Sequence, residues 1–490
     1  MSTKSFDLDS PWRLDDRTAV RPESFGAMLY NFGTRGLSFL KRTTLLDVLR
    51  QLDGQPSARA ACAAAGIAAA EVPAYSRALR SLAASGMIVP RGGVGGPSDR
   101  VQNPGQAANS GLAGRFERGL DAPICLTWEL TYACNLSCVH CLSSSGRRDP
   151  HELTTAECES VIDTLRRMQV FYVNIGGGEP TVRPDFWHLV DYATAHQVGV
   201  KFSTNGIKLD AVAAQRLAAS DYVDVQISLD GATAEVNDAV RGAGSFATAT
   251  RAMRHLAEAG FEGFKVSVVI TRENVSQLDE FKRLADSYGA QLRLTRLRPS
   301  GRGADVWSSL HPLPQQQKEL YDWLVANGDG VLTGDSFFHL SAYGEALPGL
   351  NLCGAGRVVC LIDPVGDVYA CPFAIHENFL AGNVRDNGGF ATVWRSSELF
   401  TQLREPSGGG ACQSCGHYDS CRGGCMAAKF FTGLPLDGPD PECVQGYGEL
   451  ALATAAPKPR PSADHSHRTI PVTIGHRPPS RACDENPLAG

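Results

Sequence analysis

Hydrophobic and polar positions change period along this chain, and the changes divide it. In residues 5–90 short alternating runs come first. Positions 12–14 and 19–21 read as strands, and 27–32 and 36–40 flank the turn signal Gly33-Thr-Arg-Gly36 as a hairpin. Helical spacing follows over 44–52, 58–65 and 74–84, before a last strand at 86–90. From Phe116 to Leu297 the pattern is strand then helix, six times. The strands fall at 124–130, 171–176, 198–203, 222–229, 264–271 and 292–297. Helical runs such as 155–168 and 276–288 lie between them, the first behind the capping-box sequence Thr154-Thr-Ala-Glu157. Such alternation means a parallel sheet, and six units make a partial α/β barrel. Further on, 315–325 reads as a helix, and 358–362 with 367–371 as a hairpin around Asp363-Pro-Val-Gly366.

Length and composition then bound the function. A chain of 490 residues holds two to four domains. The net charge of −6 gives no electrostatic case for nucleic acid. Residues 1–95 depart from this, with twelve Lys/Arg against eight Asp/Glu. No apolar run near the N-terminus suggests secretion, and no stretch of about 18 apolar residues suggests a membrane span. Fifteen cysteines without an export signal point to metal or redox chemistry in a reducing compartment, the cytoplasm. The glycine-rich run Gly92-Gly-Val-Gly-Gly96 opens a flexible linker, and the Pro-, Arg- and His-bearing end, with His465, His467 and His476, lacks periodicity and reads as disordered. The expected organisation is a recognition domain at 1–91, a linker at 92–115, a barrel at 116–330, a cysteine-rich domain at 331–454 and a tail at 455–490.

The candidate chemistry sits where the pattern places it. Cys134-Asn-Leu-Ser-Cys138-Val-His-Cys141 leaves the C-terminal end of the first barrel strand. Three converging thiolates suit an iron–sulfur cube and leave one iron open. The spacing alone also permits zinc or three unrelated cysteines. Functional groups of a parallel barrel gather at the C-terminal strand ends. There stand Gly176-Gly-Gly-Glu-Pro180, Ser203-Thr-Asn-Gly206, Ser228-Leu-Asp-Gly231 and, beyond them, Arg241. Glycines let backbone approach a ligand closely. A second cysteine system comprises Cys353, Cys360, Cys371, Cys412, Cys415, Cys421, Cys425 and Cys443. Its CxxC element alone also permits zinc. Cys62, Cys125 and Cys158 read as core or surface residues. The stretch 297–303 is a candidate substrate entrance, and Phe337-Phe-His339 offers substrate contacts or core, with core favoured for the phenylalanines.

The three-cysteine stretch resembles the signature of the radical S-adenosylmethionine (SAM) family, with His140 where an aromatic residue is usual. The resemblance implies a partial (β/α)6 barrel in which Cys134, Cys138 and Cys141 hold a [4Fe-4S] cluster whose open iron is chelated by SAM. It implies SAM contacts from Gly177, Gly178, Glu179 and Pro180, from Ser203, Asn205, Ser228 and Asp230, and from Arg241 to the SAM carboxylate. The later cysteines resemble the SPASM extension, which implies two auxiliary iron–sulfur clusters. Cys353, Cys371 and Cys425 fall to the first, with Cys360 as a fourth ligand at an unusual spacing. Cys412, Cys415, Cys421 and Cys443 fall to the second. Residues 118–443 resemble the mycofactocin radical SAM maturases. Residues 5–90, with their winged-helix pattern, resemble the chaperone that binds the precursor peptide in that pathway. Those two are normally separate chains.

The resemblance implies oxidative decarboxylation of the C-terminal tyrosine of a short peptide ending in Val-Tyr, then a carbon–carbon bond to the valine. It implies two partners: a precursor peptide bound through its leader, and a one-electron donor of flavodoxin or ferredoxin type. Neither nucleic acid nor membrane is expected. Two alternatives remain at this point. One is another peptide or protein modifier of the same architecture, thioether-forming or sulfatase-maturing, although Pro372 replaces the acidic residue expected of the latter. The other is a zinc-binding regulator whose winged helix reads DNA.

Overall fold

The computed structural model describes residues 6–92, 119–333, 336–347, 353–404 and 410–455. Apart from Gly92 and Ala455, the expected linker and tail lie outside the described residues.

The first unit builds as its pattern expects. Strands β1 (Trp12–Leu14) and β5 (Ile88–Pro90) pair antiparallel, and β2 (Thr18–Glu23), β3 (Gly26–Asn31) and β4 (Gly36–Leu40) form a sheet in that order. Helices Thr43–Leu52, Ala58–Ala64 and Val72–Ala84 cover one face. Strand β3 is buried throughout, because successive side chains of a strand point to opposite faces. Ala27 and Leu29 join the unit's own core, while Met28 and Tyr30 face the other way.

What they face is the barrel. Strands β6 (Cys125–Thr131), β7 (Tyr172–Gly177), β8 (Gly199–Thr204), β9 (Val223–Ser228), β10 (Lys265–Ile270) and β11 (Gln291–Arg296) run parallel in sequence order. Leu126, Trp128, Val200, Phe202, Val266 and Val268 pack outward into the main core. The alternate positions, among them Lys201, Asp224, Gln226 and Lys265, line the interior. The capping box at Thr154 forms as expected, with both reciprocal bonds present.

Two features of the sheet were not legible in the pattern. A short strand β12 (Val331–Leu332) extends it beyond β11. On the opposite edge, β13 (Val359–Ile362) lies parallel to β6 and carries with it β14 (Asp367–Tyr369) and β15 (Leu380–Asn383). The expected hairpin is therefore part of a ten-stranded sheet, and Trp394, Phe400 and Met426 share one core with the barrel.

The first unit closes the N-terminal pole of the barrel. Phe32 stacks on Tyr222 with ring centroids 4.4 Å apart, and Tyr30 lies 5.1 Å from Tyr172. Arg21 is buried, and its guanidinium donates to the carbonyls of Ala122 at 2.9 Å and Pro123 at 3.0 Å while pairing with Glu23 at 2.8 Å. Arg35 donates to the Val223 carbonyl at 3.0 Å and pairs with Asp224 at 2.9 Å. Asp224 also takes Lys265 at 2.6 Å. Burial alone would raise the Asp224 carboxyl, but Arg35 and then Lys265 hold it down at about 2. Burial pushes Lys265 down to about 7. Arg17, Arg21 and Arg35 thus spend part of the first unit's positive charge on docking. Removing one partner of a buried ion pair costs about 3–5 kcal/mol, because the other is left uncompensated. Arg21→Ala in a separate fragment 6–92 is expected to weaken its binding to fragment 119–455 by roughly a hundredfold or more. Titration calorimetry checks this.

Candidate functional site

The cysteine loop opens at the other pole, where β6 ends. Neighbouring strand ends hold it through the backbone. Gly178 N–H donates to Thr131 O at 2.8 Å, and Glu179 N–H to Ala133 O at 2.9 Å. Gly177 adopts φ +103°, and a Cβ there would stand 2.6 Å from Thr131 O. These glycines are therefore required by the close approach of two chain segments. Gly177→Val would break that approach, whatever it did to a ligand.

Glu179 is buried and accepts four hydrogen bonds. Thr181 Oγ1 donates at 2.6 Å, Thr181 N at 3.2 Å, Thr204 Oγ1 at 2.8 Å and Asn205 N at 2.7 Å. A carboxylate has about four acceptor sites. Glu179 thus joins the end of β7 to the end of β8. Pro180 opens the short 3-10 turn that follows it. Asn205 in turn donates to Asn135 Oδ1 at 2.9 Å, directly after Cys134. Ser203 accepts from Gln226 inside the barrel. Ser228 ends β9 beside Ser267.

Asp230, fully buried, organises the far side. Its Oδ2 pairs with His140 Nε2 at 2.7 Å and Arg241 Nε at 2.6 Å, and its Oδ1 accepts from Val269 N at 2.8 Å. Burial works against the Asp230 carboxylate, yet Arg241 and then His140 hold it well below the usual carboxylate range. His140 therefore anchors the cysteine loop to β9. Arg241 also acts on the thiols: burial pushes Cys138 up, and Arg241 pulls it back. Cys134 is pushed up to about 11, by burial first, with Cys138 and Cys141 among the neighbouring charges.

Arg302 is a further holder of the loop. It donates to Cys138 O and Ser145 O, each at 2.9 Å, and its own N–H donates to Cys141 O at 2.9 Å. The segment 297–303, read from sequence as a candidate substrate entrance, holds the cysteine loop through Arg302. Nothing in its spacing could announce a contact across more than 150 residues.

Behind the loop sits a buried acid. Glu129 receives Ser143 and is pushed up to about 8, first by burial and then by Asp363. Burial also lifts Asp363 to about 7, and Tyr132 donates to it at 2.8 Å. A carboxyl raised on folding stabilises the fold fully below its unfolded value. That contribution is lost as pH rises through the folded value. Between about pH 4.5 and 8 the apo chain should lose stability on the order of 1.4 kcal/mol per unit through this group. Glu129→Gln should remove that slope, so the variant gains on the parent at pH 8 relative to pH 5. Thermal unfolding at both pH values measures it.

The second cysteine system forms two groups. Burial pushes the Cys371 thiol far up, and Cys425 and Cys353 add to it as neighbouring charges. Cys360 is fully buried on β13, with the Arg404 guanidinium among its neighbours. Cys412, Cys415, Cys421 and Cys443 line one cavity, together with His339 and Asp440. Burial raises Cys412 to about 11, while Lys429 pulls it down. The cavity is joined to the barrel by Arg296, which pairs with Asp440 at 2.5 Å and with Glu442. Cysteines whose side chains are described are free thiols, and Cys62 and Cys158 are core residues. Among the described residues, no three His, Cys, Asp or Glu side chains converge tightly enough for a single metal ion. Tetrahedral zinc needs thiolates at about 2.3 Å from one centre. Four thiols around a shared cavity fit a multi-iron group better.

Comparison with known proteins finds three families along the chain. Residues 11–89 match the peptide chaperone MftB family, 128–285 the radical SAM superfamily, and 353–416 an iron–sulfur cluster-binding domain, SPASM. The chain is 72% identical over 384 residues to the mycofactocin maturase MftC of Mycobacterium tuberculosis (strain CDC 1551 / Oshkosh), covering 77% of this chain and 98% of that one. It is 71% identical to the MftC of Mycolicibacterium smegmatis (strain ATCC 700084 / mc(2)155) over 383 residues, covering 77% and 98%. Among solved structures, Streptococcus suis SuiB bound to precursor peptide SuiA superposes with a TM-score of 0.63 at 18% identity, covering 88% of this chain and 99% of that one. That likeness extends the shared fold across the first unit.

Proposed function

Because this chain belongs to the mycofactocin maturase family of radical SAM enzymes, we propose that it matures a precursor peptide ending in Val-Tyr. The reaction is oxidative decarboxylation of the tyrosine followed by a carbon–carbon bond between valine and tyrosine. When bound, SAM with a [4Fe-4S] cluster would supply the radical chemistry for removing a tyrosine β-hydrogen, and auxiliary clusters would offer an acceptor for the surplus electron. The protein's own part is placement. Cys134, Cys138 and Cys141 hold the SAM cluster, kept in position by His140, Asn135 and Arg302. Gly177, Gly178, Pro180, Ser203, Asn205, Ser228 and Arg241 surround SAM, with Glu179 and Asp230 as the residues that fix their positions. Cys353, Cys371 and Cys425, with Cys360, serve the first auxiliary cluster; Cys412, Cys415, Cys421 and Cys443 serve the second.

One observation carries this reading. A loop of three cysteines at the barrel mouth and a cavity lined by four more belong to a body that also carries a chaperone-like unit. A DNA regulator has no use for that combination. The leader adds to the sheet of the first unit at the outer edge of β4, where main-chain hydrogen bonds give affinity. That unit lies at the barrel pole opposite the cysteine loop. Six-residue strands rise about 20 Å, so the peptide between leader and reacting end must span at least that height. A flavodoxin- or ferredoxin-type protein delivers electrons. No helix of the described residues is long and apolar enough to cross a membrane, and free thiols suit the cytoplasm.

Anaerobic reconstitution with iron and sulfide tests the reading. Charge-transfer absorption, bound iron and reductant-dependent SAM cleavage are expected. Bound zinc without SAM cleavage would overturn it.

A further inference from the structure

His339 is buried, at 4% exposure, on the 3-10 helix Phe338–Tyr343. It lines the cavity shared by Cys412, Cys415, Cys421 and Cys443. Its Nδ1 is sealed from solvent and has no hydrogen-bond partner among the described residues. Gln445, two residues after Cys443, donates to Ala342 O at 3.0 Å and holds this helix against the cysteine segment. The phenylalanines beside it behave as core residues, as their sequence suggests. The histidine does not, because a buried imidazole without a partner costs free energy unless something at the site uses it.

We propose that His339 is an outer-shell hydrogen-bond donor to the iron–sulfur group held by Cys412, Cys415, Cys421 and Cys443, and that it raises that group's reduction potential. The inference rests on those four cysteines holding a cluster. Burial first, and then Arg296, hold the imidazole well below its ordinary value, with Arg298 adding to this and Asp440 opposing it. An imidazole offers at least one N–H whether neutral or protonated. Hydrogen bonds to cluster sulfurs stabilise the more electron-rich state, and outer-shell partners tune metal sites in this way. His339 is thus a positioning and tuning residue for electron acceptance, and it touches no substrate in this role.

The test uses reconstituted full-length protein and three variants: Cys412→Ala, His339→Phe and His339→Gln. Cys412→Ala identifies the electron paramagnetic resonance signal of this cluster by abolishing it. If that signal set and the iron content stay unchanged, the four-cysteine assignment fails and the inference with it. With the signal assigned, a redox titration followed by spectroscopy reads the midpoint potential. His339→Phe should shift it to lower potential at unchanged iron content, and His339→Gln, which keeps an amide N–H, should fall between that variant and the parent. Equal midpoints in parent and His339→Phe, with the cluster intact, would overturn the proposal. So would selective loss of this cluster from both His339 variants, which would make the histidine a ligand.

Discussion

Replacing Cys134, Cys138 and Cys141 together with alanine should abolish reductive cleavage of SAM while iron at the auxiliary sites persists. The structure gives the reason for the separation. The three-cysteine loop is held by Glu179, Asn205, Asp230 and Arg302, whereas the four-cysteine cavity is closed by His339, Asp440 and its own segment. The loop's anchoring bonds run through Gly178, Glu179, Asn205 and Arg302, and the one backbone bond to a loop thiol among the described residues is Leu136 N–H to Cys134 Sγ at 3.4 Å, so alanine leaves the anchoring carbonyls and amides in place. 5′-Deoxyadenosine should fall to the background of a reaction without enzyme. Iron should fall by up to about four atoms per chain, one cube. A triple variant that still released 5′-deoxyadenosine would remove the assignment of this loop.

Deleting residues 1–92 should abolish modification of the full-length precursor, and the separate fragment should restore it in a concentration-dependent manner. Two physical terms act here. The deletion removes the sheet edge proposed to receive the leader. It also strips Arg35 from the buried charge cluster of Asp224, Lys265 and Lys201, and uncovers Tyr172 and Tyr222. Covalent linkage gives the unit an effective concentration on the order of millimolar. Restoration should therefore saturate as the added fragment rises, with full-length protein faster at low concentration. Product mass in three anaerobic reactions decides it: full chain, truncated chain, and truncated chain with fragment. Equal rates in the first two would mean that the first unit does not deliver substrate.

Most of the scaffold was legible because it is written in local periodicity. Each of the six expected barrel strands is present within a residue or two of its pattern, and the capping box at Thr154 forms as its sequence says. The hairpin at Asp363 was legible for the same reason. Its parallel attachment to β6 was not, because Val359 meets Cys125 across more than 200 residues. The site followed the same rule. Cysteine spacing and the glycine motif marked the loop and its neighbour, since both are local signals. The anchors were invisible: His140 to Asp230 spans 90 residues and Arg302 to Cys138 spans 164. His140 looked like a departure from an aromatic position, and the structure gives it a partner. Glu179 looked like a ligand contact, and the structure satisfies it with four internal donors. Residues 1–95 carry a surplus of basic residues, and three of them, Arg17, Arg21 and Arg35, turn toward the barrel. Net charge carries no direction, so only the fold could say which face those arginines serve.

The most direct test of the whole account is the mass of a precursor peptide ending in Val-Tyr after anaerobic incubation with reconstituted full-length protein, SAM and reductant. The account predicts a product lighter by one carbon dioxide and two hydrogens, formed with 5′-deoxyadenosine and without any added chaperone. A peptide recovered at unchanged mass, from a protein that cleaves SAM and holds its full iron, would contradict it.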